Sequence, residues 1–356
     1  MNEVAGHRSA LSEGQAAGAP AHLTRGRFVV VNASLLLVLL ATLAGASLIG
    51  SVSVDLGRAF DASLLVNPDR TILFETRLPR VLMAAVVGAA LAITGAALQG
   101  LMRNPLAEPH VIGVSGGAAL GAVIAVVAGG RGAFAQELLL PLAASAGALV
   151  SMLIIYRLAV VNGRLQPYVL LLAGVVYNAF AGALIMFVNS IADHYQAYGI
   201  LFWLMGSLST QGYDMVAIAT AYVGCGAFWL MRDARQLNLL SLGEESAAQL
   251  GVAVHRVRRS IFFASALLVG AVVSMSGMIG FVGLIVPHVV RLLLGADHRL
   301  LLPASLLSGA IFLVWADTVA RSAFGVVEIP VGVITALCGG PFFIYLLQRE
   351  GHRRLG

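Results

Sequence analysis

Nine runs of roughly twenty residues or more, each holding at most one charged side chain, set the terms for what this chain can fold into. About 18 consecutive apolar residues suffice to cross the hydrocarbon core of a bilayer as a helix. Only helices and closed barrels satisfy their backbone polar groups there. The runs lie near 28–49, 81–101, 111–129, 138–156, 168–190, 213–231, 261–294, 301–320 and 329–347. The seventh is 34 residues long, too long for one crossing, and SGMIG at 276–280 offers a turn inside it. Ten spans result. Tyr198–Thr210 is too short to cross and reads as an interfacial or re-entrant piece. The fold class is therefore an all-α polytopic membrane protein. With 59% apolar and 11% charged residues, a chain of 356 residues is not the pair of soluble domains its length would otherwise suggest.

All 22 basic residues are arginine, so the lysine that a Walker A loop places on nucleotide phosphates is missing. The chain does not hydrolyse ATP by that machinery. Its net charge of +5 comes from loop arginines and does not point to nucleic acid. Cys225 and Cys338 sit singly in apolar runs, and His110, His194, His288 and His298 are scattered. Neither a disulfide framework nor a metal site is indicated. With ten spans and the amino terminus inside, sixteen arginines fall inside and six (58, 70, 77, 80, 131, 321) outside. The positive-inside rule then puts both termini in the cytoplasm. Residues 1–26 read as a disordered cytoplasmic tail, 27–348 as one transmembrane domain and 349–356 as a second tail. A signal-peptide cut after AGA at 44–46 is the alternative for the first run, but its length favours an uncleaved span.

The longest polar interruption, 232–260, contains SLGEESAAQLG at 241–251. Ser241 and Glu244 have the spacing of a capping box, and Gly251 suits the left-handed position that closes a helix. Leu242, Ala247 and Leu250 fall roughly on one face, with Glu244, Glu245 and Gln249 elsewhere. This is either a helix pushed by a partner in water or a solvated loop helix.

Gly113, Gly117 and Gly121 are spaced at i, i+4, i+8, as are Gly88, Ala92, Ala96 and Gly100, patterns that let helix backbones approach closely in lipid. Offsets of 182 and then 188 align Arg77 with Arg259, Gly95 with Gly277, Pro105 with Pro287 and Gly121 with Gly309. That suggests an inverted repeat of roughly 77–190 on 259–347, a common transporter architecture. RNPLAEPH at 103–110 breaks the chain twice with proline and reads as an ordinary turn or a gate loop. Arg77, Arg80 and Arg321 lie at outer span ends against the charge rule, which suggests an acidic partner outside. Asp317 and Arg321, at i, i+4, are expected to neutralise each other.

Taken in order, RLPR (77–80), GAALAITGAALQGLMRNPLAEPHVIGVSGGAALG (88–121), WLMGSL (203–208), LNLLSLGEESAAQLGV (237–252), GMIGFVGLIVPHVVRLLLGADHRLLLP (277–303), ADTVAR (316–321), EIPVG (328–332) and GGPFF (339–343) resemble the FecCD permeases. Those are the membrane subunits of bacterial ATP-binding-cassette importers for haem, iron-siderophores and vitamin B12. The resemblance implies a homodimer in the inner membrane, two cytoplasmic ATP-binding subunits and a periplasmic binding protein. ATP and Mg would sit on the ATPase, and this chain would bind no cofactor. It implies binding-protein docking at Arg77, Arg80 and Arg321, and cytoplasmic gates at Asn104 and Leu106 and at Gln166, Pro167 and Tyr168. The second gate departs from the small hydroxyl residues of the B12 permeases. The stretch Ser241, Leu242, Gly243, Glu244, Glu245, Ala248, Leu250 and Gly251 would be the coupling helix seated in the ATPase. The path would run along the dimer axis between the fifth and tenth spans, with Tyr177, Asn178 and Phe180 as pathway candidates. The aromatic character of Tyr168, Tyr177, Phe180 and Phe187 favours haem over a ferric siderophore, with B12 third. A proton-coupled secondary transporter is the alternative class, for which Asp317 is the candidate carboxylate.

Overall fold

In a computed structural model of the chain, residues 23–61, 66–128, 139–208, 212–323, 325 and 327–355 are described. The first helices are α1 (Arg25–Leu48), α2 (Leu78–Met102), α3 (Val114–Ala128), α4 (Leu140–Ala159) and α5 (Pro167–Ile191). The short α6 (His194–Leu204) precedes α7 (Tyr213–Arg232). Two small helices follow, α8 (Ala234–Ser241) and α9 (Glu244–Gln249). The last four are α10 (Val254–Ser276), α11 (Val282–Leu294), α12 (His298–Ser322) and α13 (Val331–Leu355). Among the described residues, seven helices are long and apolar enough to cross a membrane, and α3, α11 and the apolar part of α13 are shorter. Together they are the ten expected passes. The 34-residue run is broken where expected: α10 stops at Ser276, and Gly277 takes φ +67.

The core is built around α2, which is buried along nearly its whole length. It lies along α12 and against α11, α10 and α7. Small residues make this possible, because lipid supplies little hydrophobic drive between helices and close backbone approach must do the work. A Cβ at Gly88 would lie 2.2 Å from the Gly309 carbonyl oxygen, and one at Gly95 only 1.8 Å from that of Gly283. In the same way α3 meets α4 through Gly117, Gly121 and Gly147. Pro287, inside α11, cannot donate to the Gly283 carbonyl one turn earlier. Gln99 Nε2 from α2 supplies a donor instead, 3.3 Å from Gly283 O and 3.4 Å from Leu284 O.

The 15-residue α3 spans only about 22 Å, short of the roughly 30 Å core. Irregular backbone completes its crossing, which requires that its polar groups be satisfied by protein. The turn over Pro109–Ile112 leads into it, and there the His110 carbonyl accepts from Asn178 Nδ2 at 2.8 Å.

Several expectations are corrected. The 241–244 capping box does not form: Ser241 ends α8 with its hydroxyl donating to Asn238 O, and Gly243 (φ +123) is the N-cap of α9. Ala247 is buried, so it does not share a face with exposed Leu242 and Leu250. Gly113 (φ +85) closes a 3-10 turn over Pro109–Ile112 and is not part of the α3 stripe. The repeat is not carried by the residues that suggested it. Gly95 lies mid-helix whereas Gly277 ends one, and Pro105 lies in a turn whereas Pro287 lies inside α11. Gly309 faces Gly88 as a packing partner. Helix α1 starts at Arg25, inside the expected tail, and α13 continues through 349–355; residues 1–22 lie outside the described residues.

Candidate functional site

A cavity of about 750 Å³ opens in the flank of the bundle, walled by α3, α5, the start of α13 and the 278–281 turn. Its polar side chains are Glu108, His110, Asn178 and Ser115, set among Met205, Met278 and Phe281. The first three are held by backbone that could not be left unpaired at this depth. Glu108 Oε1 accepts from the Phe281 N–H, at a residue held at φ +68. His110 Nε2 lies 2.7 Å from Ile279 O, and Asn178 Nδ2 donates to His110 O at 2.8 Å. The fifth and tenth spans both contribute to its lining. Of the pathway candidates only Asn178 lines the cavity. Tyr177 packs on the core, and Phe180 and Phe187 point outward.

At the end of the bundle carrying the 232–260 loop, Asn104 forms a local turn, with Oδ1 accepting from Leu106 N at 3.0 Å. Gln166 caps α5, Pro167 occupies its first turn, and Tyr168 is 78% exposed. Before them a hairpin pairs Val160–Val161 with Arg164–Leu165. Its tip, Asn162 (φ +51) and Gly163 (φ +74), is the two-residue turn that an Asn-Gly pair favours. The VVNGRL sequence carries that signal, which the reading of adjoining apolar runs passed over. Leu165 N donates to His255 Nδ1 at 3.3 Å, tying this hairpin to the start of α10.

Helix α9 closes as the sequence implied. Gly251 takes φ +83, Val252 N donates to Ala247 O and Gly251 N to Ala248 O, both at 3.0 Å, which is the Schellman arrangement. Glu244 pairs with buried Arg258, and Ala247 is inserted inward. Leu242 (64% exposed), Glu245, Ala248 and Leu250 (60% exposed) are left facing outward. One step behind, Asn238 on α8 donates to Asp297 and accepts from the His298 N–H, which joins this loop to α12. The Asp297 carboxyl is held down at about 2, chiefly by its hydrogen bond from Arg299.

At the opposite end, Arg77, Arg80 and Arg321 do converge, but they are not free on a rim. Arg77 and Arg321 are buried and donate to carbonyls at the end of α1: Arg77 to Leu48 O at 3.1 Å and to Val52 O, Arg321 to Ala46 O. The last carbonyls of a helix lack internal partners and carry the negative end of its dipole, so guanidinium groups suit them. Asp317 is held mainly by Arg80, at 3.0–3.2 Å, with Arg321 farther off at 3.6 Å. The expected i, i+4 pairing is therefore secondary. Arg80 also reaches Glu328 at 2.7 Å, a partner the sequence reading missed. All three arginines and Glu328 line a cavity of about 200 Å³.

The sequence profile of the FecCD transport family matches residues 35–349. The chain belongs to that family. As a FecCD protein it is a multi-pass membrane protein, the permease subunit of an ATP-binding-cassette importer, and not itself the ATPase. The cobalamin import system permease of Halobacterium salinarum is 46% identical to it over 288 residues, covering 80% of this chain and 76% of the relative. The hemin transport system permease of Yersinia pestis is 41% identical over 328 residues, covering 90% and 96%. A solved structure described as an inward-facing metal-chelate type ABC transporter matches with a TM-score of 0.77 at 33% identity, over 90% of this chain and 99% of that one. The FecCD fold therefore accounts for the ten-pass bundle.

Proposed function

We propose that this permease imports a bulky metal chelate across the inner membrane as a two-fold dimer, with two ATPases on the cytoplasmic side and a binding protein in the periplasm. The observation that carries the reading is α9. A short, firmly capped helix exposes Leu242 and Leu250 at the end of the bundle and is tied behind itself to α10 and α12. Nucleotide-driven closure of an ATPase pair would push on it, and a permease need only offer two conformations whose balance its partners bias. The cavity between the fifth and tenth spans would then be one half of the path. The relatives carry cobalamin and hemin by name, and the aromatic residues that favoured haem do not line the cavity. Asp317, bonded to two arginines and absent from the cavity lining, gives no support to a proton-coupled mechanism. In proteoliposomes, labelled cobalamin or hemin uptake should require the ATPase partner and ATP. Uptake by the permease alone, driven by a proton gradient, would overturn this reading.

Docking of the binding protein belongs to the same proposal. The arginine-lined cavity suits a single acidic side chain, which would take the place of Glu328 on Arg80. Reversing Arg77 or Arg321 would strip carbonyls at the end of α1, so neither tests docking cleanly. Glu328, its side chain 54% exposed, does. Glu328→Gln should tighten binding-protein affinity by up to about fivefold at low salt, the span of an exposed ion pair. High salt should erase the difference. Binding unchanged at low salt in nanodiscs would show that Glu328 does not compete for the site.

A further inference from the structure

The importer reading leaves the cargo open, and the wall of the 750 Å³ cavity speaks to it. We infer that this wall selects a neutral chelate bearing amide N–H donors over one bearing carboxylates. Three side chains carry the inference, and each commits one polar atom to the backbone and leaves one toward the cavity. Ile279 O can only accept, so His110 Nε2 must carry the proton, and Nδ1 is left as a lone pair. His110 O can only accept, so the Asn178 amide is oriented with Nδ2 toward it, and Oδ1 is left. Phe281 N–H donates to Glu108 Oε1, and Oε2 of the carboxylate is left.

None of these three remaining atoms is buried without a partner, and all three residues line the same space. The Ser115 hydroxyl, the other polar group nearby, is itself buried. The side-chain polar surface of the cavity is thus made of acceptors, one of them a carboxylate, among methionine, phenylalanine and aliphatic groups. Backbone anchoring means that the pattern cannot be reversed by flipping an amide or an imidazole. An approaching carboxylate meets no exposed side-chain donor and one like charge. An amide N–H meets three acceptors, at the modest cost of exchanging them from water. A corrinoid whose periphery is amidated fits this wall better than a porphyrin whose periphery carries propionates.

The test uses two corrinoids that share a ring: cobinamide, with amide side chains, and cobyrinic acid, with carboxylates. Equilibrium binding to the purified permease in lipid nanodiscs is read from corrin absorbance, without ATPase or binding protein. Cobinamide should bind the unmodified permease about tenfold more tightly than the acid. Glu108→Gln keeps Oε1 for Phe281 N–H and puts a donor where Oε2 stood, and should bring the two affinities to within about twofold. Equal or tighter binding of the acid by the unmodified permease would overturn the inference, as would no measurable binding of either. A folded Glu108→Gln protein with an unchanged ratio would do the same. Failure of ATP-driven uptake would instead count against the importer reading and leave this binding order standing.

Discussion

Gly95→Ala should abolish assembly of the bundle. The added methyl would lie 1.8 Å from the carbonyl oxygen of Gly283 and 2.5 Å from its carbonyl carbon. Both obstacles are backbone, so no rotamer change relieves them; α2 and α11 must separate. That separation also pulls Gln99 Nε2 from the Gly283 and Leu284 carbonyls, one of which Pro287 has left without its helical donor. Overpacking a well-filled core costs about 1–3 kcal/mol and more where backbone must move, and loss of the Gln99 bonds adds to it. The expected result is loss of the monodisperse protein after detergent extraction. Gly224→Ala is the matched control: nothing lies within 4 Å of its added carbon, and alanine is about 0.5–1 kcal/mol better than glycine inside a helix. Equal yield and thermal midpoint for the two variants would show that α2 and α11 are not in close contact.

Ala248→Pro should uncouple transport. A proline at Glu244 would not break the helix, because Gly243 is the N-cap and 244 is the first helical position, where the ring is tolerated; it would instead strip buried Arg258 of its partner. Position 248 lies inside α9, where proline removes a backbone donor and strikes the preceding turn, for about 3 kcal/mol. In a helix of six residues that penalty is enough to unwind it. Ala248 is exposed, so the loss is one of helix and not of core packing. ATP-driven uptake should fall about a hundredfold, while the permease still inserts into the membrane. Uptake at the unmodified rate would mean that α9 does not transmit ATPase motion.

Hydropathy and capping chemistry were enough to place nearly every helix. The ten passes, the break after Ser276 and the glycine that closes α9 all follow from signals within one turn or one span of the residue concerned. The start of α9 was misplaced because Ser241 and Glu244 have the spacing of a capping box. What they lack is the backbone: Gly243 at φ +123 starts a new helix between them. The Asn162-Gly163 hairpin was available to the same local reasoning and was hidden by the apolar runs beside it.

Contacts between distant segments were another matter. The stripes at 88–100 and 113–121 announced close packing, and family resemblance marked the arginines, but neither could say that Gly95 meets Gly283 or that Arg80 holds Asp317 and Glu328. The apparent repeat shows why: Gly121 and Gly309 align as copies in the sequence, yet Gly121 packs on Ala143 and Gly309 on Gly88. The cavity is the furthest case, since Glu108 with His110, Asn178 and Phe281 come from three separate stretches of chain. The sequence by itself determined that this chain spans a membrane, which stretches cross it, and its family. Only the tertiary structure decided which arginines are buried, and that three acceptors face one space. Hydropathy and caps act over a few residues, whereas burial and the direction of a hydrogen bond depend on whichever distant backbone group is brought alongside.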